Sequence, residues 1–374
     1  MKISQNILAI ATMIGTIIGA GVFAIPYVFS QSGAITCLVY FLVLGVLAIL
    51  LHLFFGEAIS RTNGEARLIG LTDKYLGKKL KILVGIAFFI GTIGSLLVYI
   101  ILSGEFLNLI FHGLLSNFQW SLIAWLLLSF MVFCGTRLVA WTELLLSAIL
   151  FLSAILAVIF CVPKISLDNF SLFNSSKVFL PFGVILFSLV GWSAVSEARY
   201  LLSDKRQLKK VLLISLSVCV VFYIIFGLAV SGVTGKATTP EPFQALGDIL
   251  GYKIIVAMGI FGFLAVATSY LTLVNYLKHT FMFDYKIARV PSFFLASFSP
   301  LALFILGLNQ FIALVSFLGA FIGLAEGGAI ILIWQKAKKM GERKPEYSIN
   351  LPKAIIFLMA GLLVFGCVVQ FLYK

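Results

Sequence analysis

Three glycines, a proline and a few isolated hydroxyls and carboxylates stand inside runs that are otherwise apolar, and these residues have chemistry to offer. The segment Ile14-Gly15-Thr16-Ile17-Ile18-Gly19-Ala20-Gly21-Val22-Phe23 is followed by Pro26. Glycine costs a helix interior about 1 kcal/mol relative to alanine and lets the main chain unwind. The Gly15 and Gly19 spacing also suits close packing of two helices through small residues. A second stretch, from Pro181 to Glu197, carries Gly183, Ser188, Gly191, Trp192, Ser193 and Ser196 in mid-run. Thr268 and Ser269 either bond their own helix carbonyls or offer oxygen to a cation. Glu105, Glu197 and Glu326 lie inside or near apolar runs, where a charge costs about 2.5 to 3.5 kcal/mol at the centre of a membrane. Each is a candidate proton carrier or a structural acceptor. Enzyme chemistry has no comparable constellation: His52, His112 and His279 sit on distant segments, and Cys37, Cys134, Cys161, Cys219 and Cys367 are scattered as small apolar residues.

The elements that must position these residues follow from composition. Of 374 residues, 61% are apolar and 11% charged, and the mean hydropathy is +1.13. A soluble domain carries roughly a quarter charged residues, so most side chains here face lipid or one another. Disorder, a disulfide scaffold and a nucleic-acid module are excluded. A membrane span needs about 20 mostly apolar residues. That template predicts eleven helices, near 7–29, 33–55, 82–110, 120–135, 141–162, 179–201, 211–231, 253–277, 291–308, 311–334 and 353–373, the fourth and ninth being short. Lys2 and the first apolar run also suit a signal peptide, but the run continues to Phe29 and is read as the first span.

The formal net charge of +13 divides unevenly between the loops: 22 Lys and Arg fall on one side and 5 on the other. The positive-inside rule then predicts a multi-pass protein of the cell (plasma) membrane with a cytoplasmic N-terminus and an extracytoplasmic C-terminus. The basic surplus is topology, with anionic headgroups as its natural partners.

The two interrupted runs are the first and the sixth, five spans apart. Interrupted helices in corresponding positions of two halves point to a transporter built from inverted repeats, because an odd offset inserts the second half upside down. Gly91 to Tyr99 and Gly262 to Tyr270 repeat one spacing in spans three and eight. Ile18-Gly19-Ala20-Gly21-Val22-Phe23-Ala24-Ile25-Pro26 resembles the first-helix signature of the amino acid, polyamine and organocation (APC) transporter superfamily. Leu186-Phe187-Ser188-Leu189-Val190-Gly191-Trp192-Ser193-Ala194 through Glu197 is similar to its sixth helix, particularly in the amino acid/auxin permease and aromatic amino acid permease branches. The resemblance covers nearly the whole chain. It implies an all-α, LeuT-type fold of five plus five inverted helices within one transmembrane domain, 1–374, with helices 1 and 6 discontinuous. The first repeat would be about 7–162, the second about 179–334, and 353–373 an extra helix.

Such a break exposes main-chain N–H groups where the outer half-helix starts and C=O groups where the inner half ends. The N–H groups of Gly19, Ala20 and Gly21, beside Thr16, would face an α-carboxylate. The carbonyl end around Phe187, Ser188 and Leu189 would receive an α-ammonium. With Gly191 between them, Trp192 and Phe187 would form an apolar wall with Ile93 and Leu97 of the third span. Sodium-coupled members of the LeuT-type fold bind the ion with first-helix carbonyls, an eighth-helix carbonyl and a Thr-Ser pair. The resemblance therefore implies a Na⁺ site at Gly15, Ile18, Ala265, Thr268 and Ser269.

The expected function is uptake of a neutral, hydrophobic or aromatic amino acid by ion-coupled symport through alternating access. Na⁺ is the favoured coupling ion and no other cofactor is expected. The alternatives are a proton-coupled symporter or an exchanger, with Glu105, Glu197 and Glu326 as proton carriers. A channel would need polar rings or a filter repeat, and a membrane enzyme a nucleophile or metal cluster; neither is present in the sequence.

Overall fold

The computed structural model describes residues 5–64, 67–111, 113–134, 155–156, 158–240, 242–283 and 285–372. Among these residues there is helix and no strand, as required where no water is available to satisfy main-chain N–H and C=O groups. The first expected span is two helices, α1 (Gln5–Ile17) and α2 (Gly21–Ser32), meeting at a 57° bend. Then come α3 (Ala34–Ser60), a short surface helix α4 (Leu68–Leu76), α5 (Lys78–Ile110) and α6 (Asn117–Cys134). The expected fifth span, 141–162, lies largely outside the described residues.

The sixth span is also split, into α7 (Leu180–Ser188) and α8 (Ser193–Leu201). It is followed by α9 (Leu208–Thr234), a short helix α10 (Pro242–Leu250), α11 (Tyr252–Phe283) and α12 (Arg289–Ile305). The tenth span is α13 (Phe311–Ile322), a π-helical turn over Gly323–Gly327, and α14 (Gly328–Met340), and the last span is α15 (Lys353–Leu372). Among the described residues, eight stretches are long and apolar enough to cross a membrane, the bent pair α1 and α2 makes a ninth, and α12 is a shorter apolar helix. The charge pattern did not signal α4 and α10, because neither carries a span-length apolar run.

Spans pack on the partner standing five positions later in the chain. Helix α1 lies on α8, α2 on α7, α3 on α9, and α5 on α11. The split first and sixth spans thus form the middle pair, antiparallel and aligned break to break. On the basic face, Glu57 of α3 is fully buried and held by Nε and Nη2 of Arg61 at 2.9 and 2.8 Å, the indole N–H of Trp334 at 2.9 Å, and the Ile349 N–H at 2.8 Å. That hub fixes the extended strap between α14 and α15 against the bundle, because a buried carboxylate must find its compensation in protein.

Glycines fix how closely α7 and α13 approach. A Cβ on Gly319 would lie 1.8 Å from the Gly183 carbonyl oxygen, and one on Gly183 would lie 2.0 Å from that of Ser316. Only main chain meets main chain there, so no side chain can rotate aside. Gly319→Ala is expected to cost at least about 3 kcal/mol, the upper range of overpacking penalties, read as a lower melting temperature in detergent. Gly361→Ala in α15, where a Cβ meets open space, should leave melting unchanged or higher. Equal melting of the two variants would contradict this packing.

Candidate functional site

The break in the first span begins where the helical ladder stops. Ile18 N–H still donates to the Ile14 carbonyl at 2.8 Å, but Gly19 N–H turns back to Ile17 at 3.0 Å. Val22 and Phe23 then bond to Gly19 and Ala20, each at 3.2 Å. Among the described main-chain bonds, the N–H groups of Ala20 and Gly21 have no acceptor, and the carbonyls of Gly15, Thr16 and Ile18 have no donor. These are the orphan groups that helix ends leave, placed in the middle of a bundle.

The sixth span breaks similarly. Leu189 and Val190 close α7 onto Ile185 and Phe187, and α8 restarts with Ala194 on Gly191 and Val195 on Trp192. The N–H groups of Gly191 and Trp192 and the carbonyls of Leu189 and Val190 stay outside the ladder among the described bonds. One residue joins the two breaks: Tyr223 of α9, fully buried, has its hydroxyl 2.7 Å from the Ile17 carbonyl and 2.9 Å from that of Ser188. The main chains also touch directly. A Cβ on Gly21 would sit 2.8 Å from Cα and Cβ of Ser188, so this position admits hydrogen alone.

The breaks open into a cavity of about 640 Å³. Gly15, Thr16, Gly19, Ala20 and Gly21 line it from the first span, and Phe187 and Ser188 from the sixth. Thr268 and Ser269 line it from α11. The cavity reaches the basic face, where half-buried Arg67 and His279 and exposed Glu197 stand at its mouth. Charge is therefore nearer the cavity than the sequence around the breaks suggested, with the Arg67 guanidinium 5.2 Å above the Tyr276 ring. At the opposite end four phenylalanines close the bundle: Phe23 stands 4.7 Å from Phe106 and 5.6 Å from Phe261, and Phe226 stands 6.3 Å from Phe261, between ring centres.

Five residues expected on the pocket wall lie elsewhere. Ile93 and Leu97 are off the cavity, and Ser95 and Tyr99 face it instead. Successive residues turn 100° around a helix, so the stripe Gly91, Ser95, Tyr99 points inward while positions two residues away point about 200° off. Trp192 is turned away as well. Its buried indole N–H needs an acceptor and finds Glu326 Oε2 at 2.5 Å, with His52 beside the ring at 5.7 Å between centres. Leu189 and Gly191 follow it out of the cavity, and Val190, Leu273, Ile322 and Tyr276 supply apolar wall in their place. Sequence reasoning missed Tyr223, Tyr99 and Ser95. A lone tyrosine at mid-span was the available signal, since a buried phenol must find a partner.

For a monovalent cation the donor chemistry is mixed main chain and hydroxyl. Thr268 gives its hydroxyl proton to the Leu264 and Ala265 carbonyls at 3.1 and 2.9 Å, which leaves its lone pairs unspent. Ser269 Oγ is buried with no hydrogen-bond partner among the described atoms, and a Cβ on Gly19 would lie 3.1 Å from it and from the Tyr99 hydroxyl. Ile18 and Ala265 are buried and contribute only carbonyls. Glu105 sits in α5 toward the far face, away from the cavity.

With two opposed breaks on one cavity, comparison with known proteins becomes informative. The profile of the tryptophan/tyrosine permease family matches residues 2–372. The chain belongs to this family. It is an amino acid permease of the membrane, not an enzyme. Glutamine transporter 2 of Aliivibrio fischeri (strain ATCC 700601 / ES114) is 24% identical over 334 residues, covering 82% of this chain and 83% of that protein. The crystal structure of MhsT in complex with L-phenylalanine superposes with a TM-score of 0.65 at 17% identity, covering 99% of this chain and 98% of the other. At that identity the likeness is one of fold, and the fold is LeuT-type.

Tyr223→Phe removes the one hydroxyl that bridges the permease's two breaks among the described residues and leaves a buried carbonyl on each side. Losing such a bond costs about 1–3 kcal/mol, so substrate uptake should fall about tenfold at normal expression, measured with radiolabelled amino acid in proteoliposomes. Gly21→Ala should lose more, because Ser188 main chain would have to move. Uptake by Tyr223→Phe within about twofold of wild type would show that the bridge is incidental.

Proposed function

We propose that this permease takes up a neutral amino acid with an apolar or aromatic side chain by symport with Na⁺, and that the basic face is cytoplasmic, so that the described state opens inward. The observation that carries the reading is the pair of facing breaks joined by Tyr223 at the head of the cavity. The bare N–H groups of Ala20 and Gly21 suit an α-carboxylate, and the free carbonyl of Val190, which lines the cavity, suits an α-ammonium. Tyr99, Phe187, Ile322 and Leu273 offer the side chain an apolar surround. The tryptophan/tyrosine permease assignment and the L-phenylalanine bound to MhsT favour an aromatic substrate. The relative named as a glutamine transporter makes glutamine the competitor to include.

Na⁺ would be held by carbonyls of Gly15, Ile18 and Ala265 with the hydroxyls of Thr268 and Ser269. Oxygen donors without a carboxylate suit an ion of single charge. One Na⁺ moving through about 100 mV supplies roughly 2.3 kcal/mol, and a tenfold gradient about 1.4 more. Together these support accumulation of several hundredfold.

The test is uptake of radiolabelled L-tryptophan, L-tyrosine, L-phenylalanine and L-glutamine into proteoliposomes, with Na⁺ and pH gradients imposed separately. Aromatic substrates should accumulate under a Na⁺ gradient and lose accumulation when choline replaces Na⁺. Thr268→Ala should raise the Na⁺ concentration for half-maximal uptake about tenfold, equivalent to about 1.4 kcal/mol, without changing the melting temperature. Uptake that persists in choline and follows the pH gradient would overturn the sodium assignment.

A further inference from the structure

Behind the sixth-span break lies a second cavity of about 70 Å³ that the transport path described above does not use. It adjoins the larger one, sharing Ser95, Val190, Ser193, Tyr276 and Ile322 with it. On its wall is Glu326, 5% exposed, in the middle of the π-helical turn Gly323–Gly327. A π turn inserts one residue into a helix at some cost and is found most often at functional sites. Here it delivers the carboxyl group to the sixth span, where Oε2 accepts the Trp192 indole N–H at 2.5 Å.

Among the described residues, the surroundings of Glu326 hold no cation that would make it a structural ion pair. No described Lys or Arg lines the small cavity. From α5 it is faced by Gly91, Thr92 and Ser95, and from the start of α8 by Ser193 and Ser196 together with Trp192 just before it. Tyr276 of α11 is the other titratable group on that wall, and Arg67 lies over its ring. Helix α3 brings Phe55 to the cavity and Leu51 to Gly327. Its His52 lies beside Trp192, and its Glu57 is spent on Arg61 and Trp334. Leu68 comes from α4, Leu186 of α7 meets Gly323, and Leu363 of α15 meets both Gly323 and Gly327. Helix α13 contributes Ile322. The first charge on α14, Lys336, stands ten residues away, about 15 Å along the helix. Of the other charges on α8, Glu197 faces the large cavity and Arg199 reaches Glu346.

We infer that Glu326 is a proton-binding site of this permease, and that its bond to Trp192 ties proton occupancy to the geometry of the sixth-span break. This rests on the transport reading and adds to it a titratable group distinct from the sodium ligands. An indole can only donate, so the ionised carboxylate holds Trp192 most strongly and the protonated acid holds it less. Trp192 precedes the first residue of α8. Loosening it therefore frees the half-helix that lines the open end of the large cavity. The proton has a route, since the small cavity meets the larger one through Ser95 and Ser193.

Purified full-length protein in proteoliposomes tests this with two measurements on the four labelled amino acids above: counterflow at equal pH on both sides, and the pH dependence of net uptake at fixed Na⁺. Wild-type net uptake should change at least about fivefold between about pH 5 and about pH 9, and Glu326→Gln, which keeps an acceptor oxygen for Trp192, should vary by less than about twofold while retaining counterflow. Trp192→Phe keeps the ring and removes the donor. It should move the midpoint of the pH profile toward alkaline pH by about one unit, because a carboxylate deprived of its donor keeps its proton longer. A Glu326→Gln protein that retains the wild-type pH profile overturns the proposal. So does an unmoved midpoint in Trp192→Phe, which decides the matter if Glu326→Gln does not fold. Absence of counterflow in the wild type with all four amino acids would instead overturn the transport reading itself, and this site with it.

Discussion

Everything in this structure is arranged around main-chain dipoles left unpaired in the middle of a membrane protein. An orphan N–H or C=O in hydrocarbon costs several kcal/mol, so a broken span survives only where protein or solute supplies the missing partners. The Tyr223 hydroxyl supplies part of the answer, since it lies within bonding distance of the last carbonyl of α1 and the last carbonyl of α7. It has one proton to give. Both carbonyls cannot be fully satisfied by it at once, so the bridge holds the breaks in register without making them inert. The bare N–H groups of Ala20 and Gly21 lie at the cavity, where a bound carboxylate would complete them.

That arrangement requires the broken spans to approach each other and α13 more closely than side chains allow. Gly21 against Ser188, Gly183 against Ser316 and Gly319 against Gly183 are contacts of main chain with main chain or with the first side-chain atom. Packing between lipid-embedded helices gains little from the hydrophobic effect and depends on close approach. Gly183 and Gly319 serve the packing of α7 on α13, whereas Gly21 serves both a break and its packing. For Gly21 these are one function: the residue that starts α2 with a bare N–H is also the one that meets the sixth span.

The fold was legible because two coarse signals agreed, namely span-length apolar runs and interruptions five spans apart. Both depend on composition along the chain and need no knowledge of which way a side chain turns. The main-chain half of the site was readable for the same reason, since a glycine cluster marks a break wherever its neighbours point. The side-chain half was not. Ile93 and Leu97 were placed on the wall by residue type, but helical phase had to be read from Gly91, Ser95 and Tyr99, and a buried helix that is apolar all round hides its phase. The aromatic ring alone predicts a wall at Trp192. Its N–H decided otherwise, and the acceptor, Glu326, lies 134 residues away in sequence. Tyr223 escaped notice because a tyrosine in an apolar span has no local pattern, only a distant pair of carbonyls.

The two ends of the cavity are built from different interactions, which bears on how the proposed cycle would run. The closed end is a cluster of phenylalanines from α2, α5, α9 and α11, a seal that excludes water without needing precise polar partners. The open end is bordered by α1 and α8, which pack on each other and are tethered near their ends by the Ser203 N–H bonded to Gln5 Oε1 at 2.9 Å. Helix α8 reaches the strap through the Arg199 and Glu346 pair at 3.4 Å, looser than the Glu57 hub that holds the strap to α3. The mouth is bordered by one tethered pair hinged at two glycine-rich breaks, in which α1 also packs on α9 and α8 also packs on α3. Separating the phenylalanines requires the outer halves α2 and α7 to move against rigid neighbours, and α7 is locked to α13 by contacts that tolerate no added atom. Of the two broken spans, the outer half α7 is the more closely packed, and any rearrangement of α1 and α8 is felt at the breaks that join them to α2 and α7.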